Sequence, residues 1–290
     1  MQVKVGKYDF VITETKTIYR GETTGFFFKI GGNIDDCVNI SVEIKNNVAI
    51  SASMPHAMYD EQCSLNMPLE RGDGSIIMIK TLLLHIKRMF PELKYVKFDD
   101  MSAIECATEE DIRKNSRMRK TGTNLVPMPL YYLSIAYNGE TWYEKYLKAV
   151  QEDIVKHVAY KKKVYKMLHD PTEKPDFIHF LRLTRVPMNN VEELEGYYLK
   201  SSTYHEFFHL IKKIDRCRLL RPWIKEFMGY YLKDVFSSNN WVIDLSSIQT
   251  VGGRKINGKH NKSRKTHYCP KMIVRSMETN LTIGCSVNDV

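Results

Sequence analysis

The stretch ERGDGSIIMIKTLLLHIKRMFPELKYVKFDD, residues 70–100, constrains the fold of this chain more than any other part. An Arg71-Gly72-Asp73-Gly74 turn opens a strongly apolar helix, which stops at Phe90-Pro91. A short strand from Tyr95 to Phe98 follows and ends in Asp99-Asp100. Glycines at 72 and 74 permit a backbone whose N–H groups point outward, and a helix start adds partial positive charge, so an anion such as a pyrophosphate can sit there. The plain alternative is a turn that only joins strand to helix. Within the helix, Ile76, Ile79, Leu83, Ile86 and Phe90 share one face with Leu82 and Met89 beside them, while Lys80, Lys87 and Arg88 point away. This is a core helix packed on a sheet, and His85, among apolar neighbours, reads as a core histidine rather than a ligand.

Residues 1–66 supply that sheet. KYDFVITETKTI alternates, Gly21 and Gly25 bracket a turn, GFFFKI is a short apolar strand, and VNISVEI turns at Asn46-Asn47 into VAISASM. Antiparallel hairpins are expected.

Further on, PLYYLSIAYNGETWYEKYLKAV places Thr141 and Glu144 at capping-box spacing, so Asn138-Gly139 ends one helix and Thr141 starts the next. Strands, glycine turn, helix, strand and a helix carrying Trp-Tyr-Glu-Lys follow in the order of the GNAT acyltransferase superfamily, which the chain resembles over about residues 8–150. GSIIMIKTL, FPELKY, DDMSAIEC and TWYEKYLKA look most like phrases of the divergent GNAT-like proteins of nucleocytoplasmic large DNA viruses.

The resemblance implies a GNAT-like α/β (α+β) core with a mixed, mainly antiparallel sheet. It also implies that Arg71, Gly72 and Gly74 hold the pyrophosphate of acetyl-CoA and that Tyr143 protonates the leaving thiolate. Glu43 or Glu61, carboxylates preceding the turn, then stands as the base. Two departures fall on the cofactor. The last small residue of the turn is replaced by β-branched Ile76, with Asp73 adding negative charge, and the expected Gly-Phe after YEKx is Leu147-Lys148. No cofactor is therefore expected. The reading is a non-catalytic, GNAT-like viral protein acting as a structural or interaction component, virion-associated as a minor capsid or core protein. An acetyl-CoA-dependent N-acetyltransferase is the alternative.

Residues 151–236 read as a helical extension. In VKHVAYKKKVYKMLHD the apolar positions are 155, 158, 164, 165 and 168, with a lysine run between that suits a solvated face. Trp223, Phe227, Tyr230, Tyr231 and Phe236 form an expected aromatic core. A GNAT domain would return to two strands here. His205-Glu206-Phe207-Phe208-His209 is a literal HExxH, which puts two imidazoles on one helix face with a carboxylate to activate zinc-bound water. A third ligand is missing. Glu226 is the best-spaced candidate, in no recognisable phrase, so no metal is expected and a zinc hydrolase is the minor alternative.

Residues 237–290 form a tail, with a strand in WVIDLSSIQTV and then a basic loop in which Arg254, Lys255, Lys259, Lys262, Arg264 and Lys265 meet no acid. Such a loop suits an anionic surface, other viral proteins or nonspecific nucleic acid, without base recognition. The net charge of +9 agrees. Six scattered cysteines without C-x-x-C spacing read as reduced thiols. No run of about 18 apolar residues exists and the start alternates rather than forming a signal, so a soluble protein of virion or host cytoplasm, not a secreted one, is expected.

Overall fold

The computed structural model describes residues 1–105, 127–184, 186, 188–248 and 272–273. Five strands open the chain: β1 (Gln2–Val5), β2 (Tyr8–Tyr19), β3 (Glu22–Gly31), β4 (Val38–Lys45) and β5 (Val48–Ala57). Each pairs antiparallel with the next. The β4–β5 turn falls on Asn46 and Asn47, both left-handed at φ 53° and 61°, the geometry that asparagine tolerates and that matches the twist of a tight hairpin. The β2–β3 turn falls on Arg20 and Gly21, so Gly25 lies inside β3.

Helix α1 (Asp73–Met89) then crosses from β5 to β6 (Tyr95–Phe98), which runs parallel to β5 with Ser53 opposite Lys97. Alternation along β2 buries Tyr8, Phe10 and Ile12, and the same face of β3 and β4 buries Phe28, Ile30, Ile40 and Val42. Onto this face α1 packs Met78, Ile79, Leu82, Leu83 and Ile86, each worth about 2 kcal/mol of burial. Phe90, just past the helix, seats its ring 5.3 Å from Phe26 and 6.0 Å from Phe28. Met89 is turned outward instead of joining the core. The opposite sheet face carries Thr13, Thr15, Ser41, Glu43 and Ser53 toward water, as one-sided antiparallel sheets do.

After β6 come β7 (Ala103–Glu105) and β8 (Pro127–Pro129), which pair in a small second sheet with β11 (Met272–Ile273). Next are α2 (Leu130–Asn138), ended by Gly139 at φ 69°, and α3 (Trp142–Leu147). Strand β9 (Val150–Gln151) follows. Its neighbour in the main sheet is β10 (Trp241–Asp244), which lies between β9 and β6 and gives the order β1-β2-β3-β4-β5-β6-β10-β9. The strand expected in WVIDLSSIQTV thus forms within the main sheet. The helical segment expected as an extension lies between two neighbouring strands of that sheet.

The helices between β9 and β10 are α4 (Ile154–His169), α5 (Phe177–Thr184), α6 (Met188–Leu199), α7 (Tyr204–Leu210), α8 (Arg216–Leu220) and α9 (Ile224–Leu232). Their core is aromatic: the Phe180 ring lies 4.8 Å from Tyr198, 5.1 Å from Trp223 and 5.7 Å from Phe207. Trp223, Phe227, Tyr231 and Phe236 are buried as expected, whereas Tyr230 is 54% exposed on the outer side of α9. The result is a mixed α/β fold with a mostly antiparallel central sheet and packed helices. No helix among the described residues is long and apolar enough to cross a membrane.

The expectation of reduced thiols is corrected at Cys37 and Cys63, which form a disulfide between the β3–β4 loop and the 3-10 turn Glu61–Cys63. Cys217 is disulfide-bonded as well. The 26-residue separation of the first pair carries no spacing signature, and only the hairpins that stack β3 beside the turn bring the two sulfurs together.

Candidate functional site at the carboxyl ends of the parallel strands

The glycine turn sits where α1 begins. Gly72, at φ 84°, precedes the helix without a side-chain cap. Its hydrogen meets open space, so the glycine answers a backbone demand rather than a close approach. Gly74 answers the other kind. A Cβ there would stand 2.9 Å from the Leu69 side chain and 3.3 Å from the Tyr8 hydroxyl. Its N–H donates to the Glu70 carbonyl at 3.0 Å, and the Glu70 N–H donates to the Tyr8 hydroxyl at 3.2 Å. Tyr59 donates to the Leu69 carbonyl at 3.1 Å. Lys7 pairs with Glu70, and the Arg71 guanidinium lies over the Tyr59 ring. Leu69 and Tyr8 thus fill the side-chain side of Gly74, and its N–H is committed to the Glu70 carbonyl.

Tyr143 is placed by α3. Thr141 and Glu144 form the expected capping box: Thr141 Oγ1 accepts the Glu144 N–H at 3.2 Å, and Glu144 Oε2 accepts the Thr141 N–H at 2.7 Å. Glu144 Oε2 also accepts the Tyr160 phenol of α4 at 2.8 Å, while Oε1 lies 3.1 Å from Lys161 Nζ and 4.0 Å from His157 Nε2. A buried carboxylate with this many donors has its hydrogen-bonding capacity satisfied. His157 Nδ1 accepts the Gln151 N–H at 3.3 Å, which leaves the proton on Nε2, toward Glu144. Burial lowers the His157 pKa, and burial, followed by the Glu144 charge, drives that of Tyr160 upward.

The Tyr143 ring is buried 4.6 Å from Phe98 and 5.1 Å from Trp142. Burial first and the nearby Asp100 second hold its phenol far above the ordinary tyrosine range. Asp100 itself is fully enclosed where β6 ends. Its Oδ1 accepts the Ser102 N–H at 3.1 Å and the Ser102 hydroxyl, and its Oδ2 has no hydrogen-bond partner among the described residues. Burial pushes its pKa up to about 6 against the pull of those bonds. The adjoining backbone is stitched to the approach of β10, with Asp100 N–H donating to the Ser238 carbonyl at 2.6 Å and Asn240 N–H to Asp99 Oδ1 at 2.9 Å.

The two expected bases lie elsewhere. Glu43 shares a face with Ser41, which pairs laterally with Ser53, which in turn pairs with Lys97. Phe98, the next residue, points to the other face and there meets Tyr143. Glu43 and Tyr143 are therefore on opposite sides of the sheet, and Glu43 accepts a bond from Ser51 at 3.0 Å in a shallow groove lined by Phe27, Ser41 and Ser53. Glu61 is exposed in the 3-10 turn, its carbonyl accepting from Leu69 N–H.

In α7, Glu206 serves the helix start, receiving the Ser202 N–H at 2.6 Å while its own N–H donates to Thr203 at 3.2 Å. His209 Nδ1 donates to the His205 carbonyl at 2.8 Å, the two rings are 4.1 Å apart, and His169 of α4 stacks 4.7 Å from His205. This third imidazole was invisible to spacing along the chain. The rings are inclined by 31° and 34°, closer to stacked than convergent, and no group of three or more His, Cys, Asp or Glu able to hold a metal occurs among the described residues. Glu226 is exposed on α9.

Arg254, Lys255, Lys259, Lys262, Arg264 and Lys265 lie outside the described residues. Sequence reasoning missed Asp100, His157 and Tyr160. The Asp-Asp end of β6 was a signal for the first, and nothing in the lysine-rich sequence of α4 marked the others. Comparison with family models, curated proteins and solved structures finds no match to this chain.

Proposed function

We propose that this chain is a non-catalytic protein on a GNAT-like scaffold, acting as a structural or interaction component of a large DNA virus particle. The scaffold reading is supported by connectivity. Five antiparallel strands precede the glycine turn, α1 crosses to a parallel strand, and the Trp-Tyr-Glu-Lys helix is followed by the two returning strands, β9 and β10. The viral setting rests on the sequence phrases around Gly74, Asp100 and Tyr143, and fold alone does not fix function.

The observation that carries the non-catalytic reading is the occupied turn: Leu69 and Tyr8 stand against Gly74, whose N–H is spent on Glu70. The separation of Glu43 from Tyr143 across the sheet supports it, as does a Tyr143 phenol whose proton is held by burial rather than poised for release. The reading is tested by quantifying the protein in purified particles. Stoichiometric amounts that resist salt washing are expected, and exclusion from particles during infection contradicts the structural role.

A further inference from the structure

Helix α4 has two apolar faces. Tyr160, Val164, Met167 and Leu168 are buried on one. Along the other, Val155, Val158, Lys162, Tyr165 and His169 recur at alternating steps of three and four, and all are exposed. Val155 is 81%, Val158 62% and Tyr165 70% exposed. That spacing is the seam by which one helix inserts side chains into the holes of another. A line of large apolar side chains left in water on a helix whose core face is already complete marks an interaction surface.

Charge selects the partner. The 16 residues of α4 contain five lysines and no acid. Lys161 reaches Glu140 and Glu144, and Lys166 reaches Glu173. Lys156, Lys162 and Lys163 make no ion pair among the described residues. A second copy of α4 laid on the seam would set lysine against lysine.

We propose that the outer face of α4 docks an acidic amphipathic helix of a partner protein. Val155, Val158 and Tyr165 enter its apolar seam, and Lys162 and Lys163 meet its carboxylates. An anionic membrane fits less well, because the line is one side chain wide, holds no Trp or Phe, has Lys162 in its middle, and sits on a helix anchored in the fold by its other face. Phosphate tracking would leave the valines without a role. The inference deepens the interaction reading above and names the chemistry of one contact.

The test uses the full chain and a fluorescent three-heptad helical peptide with leucines on its seam and glutamates beside them. A twin peptide carries glutamines for glutamates, and phosphatidylserine vesicles and a DNA duplex are measured in parallel. The glutamate peptide should bind about tenfold more tightly than its twin or better, with the difference shrinking as salt rises. Val158→Asp should weaken binding by about tenfold or more, the effect of removing a seam anchor. The double variant Lys162→Glu, Lys163→Glu should reverse the preference between the peptides. Both variants alter exposed positions and should melt as the parent does, which separates lost docking from lost folding. Equal binding of the two peptides, binding of neither, indifference to Val158→Asp, or vesicle or duplex binding that Val158→Asp abolishes would each overturn the proposal. Failure here with stoichiometric protein in particles removes only this surface, not the structural role.

Discussion

Tyr160 donates its phenolic proton to Glu144 across 2.8 Å, and through that bond the inserted helices are fastened to the helix that carries Tyr143. The same carboxylate closes the capping box of α3 and lies 3.1 Å from Lys161, so one buried group serves local helix initiation and long-range docking together. Tyr160→Phe removes the phenolic donor and leaves the rest. A loss of about 1.5–3 kcal/mol is expected for a hydrogen bond to a charged group, measured by denaturant unfolding at neutral pH. Glu144→Ala should cost more, because Thr141, Tyr160 and Lys161 all lose their acceptor.

Asp100 makes stability depend on pH in the sense opposite to most carboxylates. Its pKa is raised to about 6 in the folded protein, so the folded state holds the proton more tightly than the unfolded chain. The contribution is complete below about pH 4 and is lost as pH rises through 6. Asp100→Asn keeps an acceptor for Ser102 and removes the buried charge. It should raise stability at pH 7–8 by up to ~3 kcal/mol and flatten the profile between pH 4 and 6. A variant less stable than the parent at pH 8 would contradict the account of Asp100.

The Cys37–Cys63 bond closes a loop of 26 residues, worth about 3.5 kcal/mol in the chain-entropy description. A Cys37→Ser, Cys63→Ser protein should be less stable by that margin in denaturant unfolding.

The two glycines of the turn should fail differently. Gly72→Ala meets no neighbour but forces an alanine to φ 84° and ψ −88°, a sparsely populated region, at about 1–3 kcal/mol. Gly74→Ala drives a methyl into Leu69 and the Tyr8 hydroxyl, a packing strain of about 1–3 kcal/mol. Pairing Gly74→Ala with Leu69→Ala should recover part of the loss if Leu69 is what fills the site, and a double mutant with strictly additive losses would say otherwise.

What could be read from the sequence was local. The Asn46-Asn47 turn and the Thr141–Glu144 box are specified by residues within four positions of each other, and both are present. The periodicity of α1 likewise gave Ile79, Leu82, Leu83 and Ile86 of its buried face, but it missed Met78 and counted the half-buried Ile76 and the exposed Met89 with them. Tyr160–Glu144, Cys37–Cys63 and Asp100–Tyr143 join elements that only the folded sheet brings together. Helix α4 shows the limit most clearly. Val155, Val158 and Tyr165 follow helical spacing as well as Val164 and Leu168 do, and periodicity cannot say which of two apolar faces meets the core. The strand at Trp241 was found, but its place beside Gln151 was not, because 90 residues of chain separate two strands that are neighbours in space.

Calorimetric titration of the full chain with acetyl-CoA tests the central claim most directly. With Leu69 and Tyr8 packed against Gly74 and its N–H committed to Glu70, no binding heat is predicted at micromolar or submillimolar ligand, and no increase in melting temperature, whereas a ligand at a hundredfold above its dissociation constant would add about 2.7 kcal/mol of stability. Micromolar affinity that is lost in Arg71→Glu, an exposed position at the mouth of the turn, would contradict the non-catalytic account and restore the acyltransferase reading.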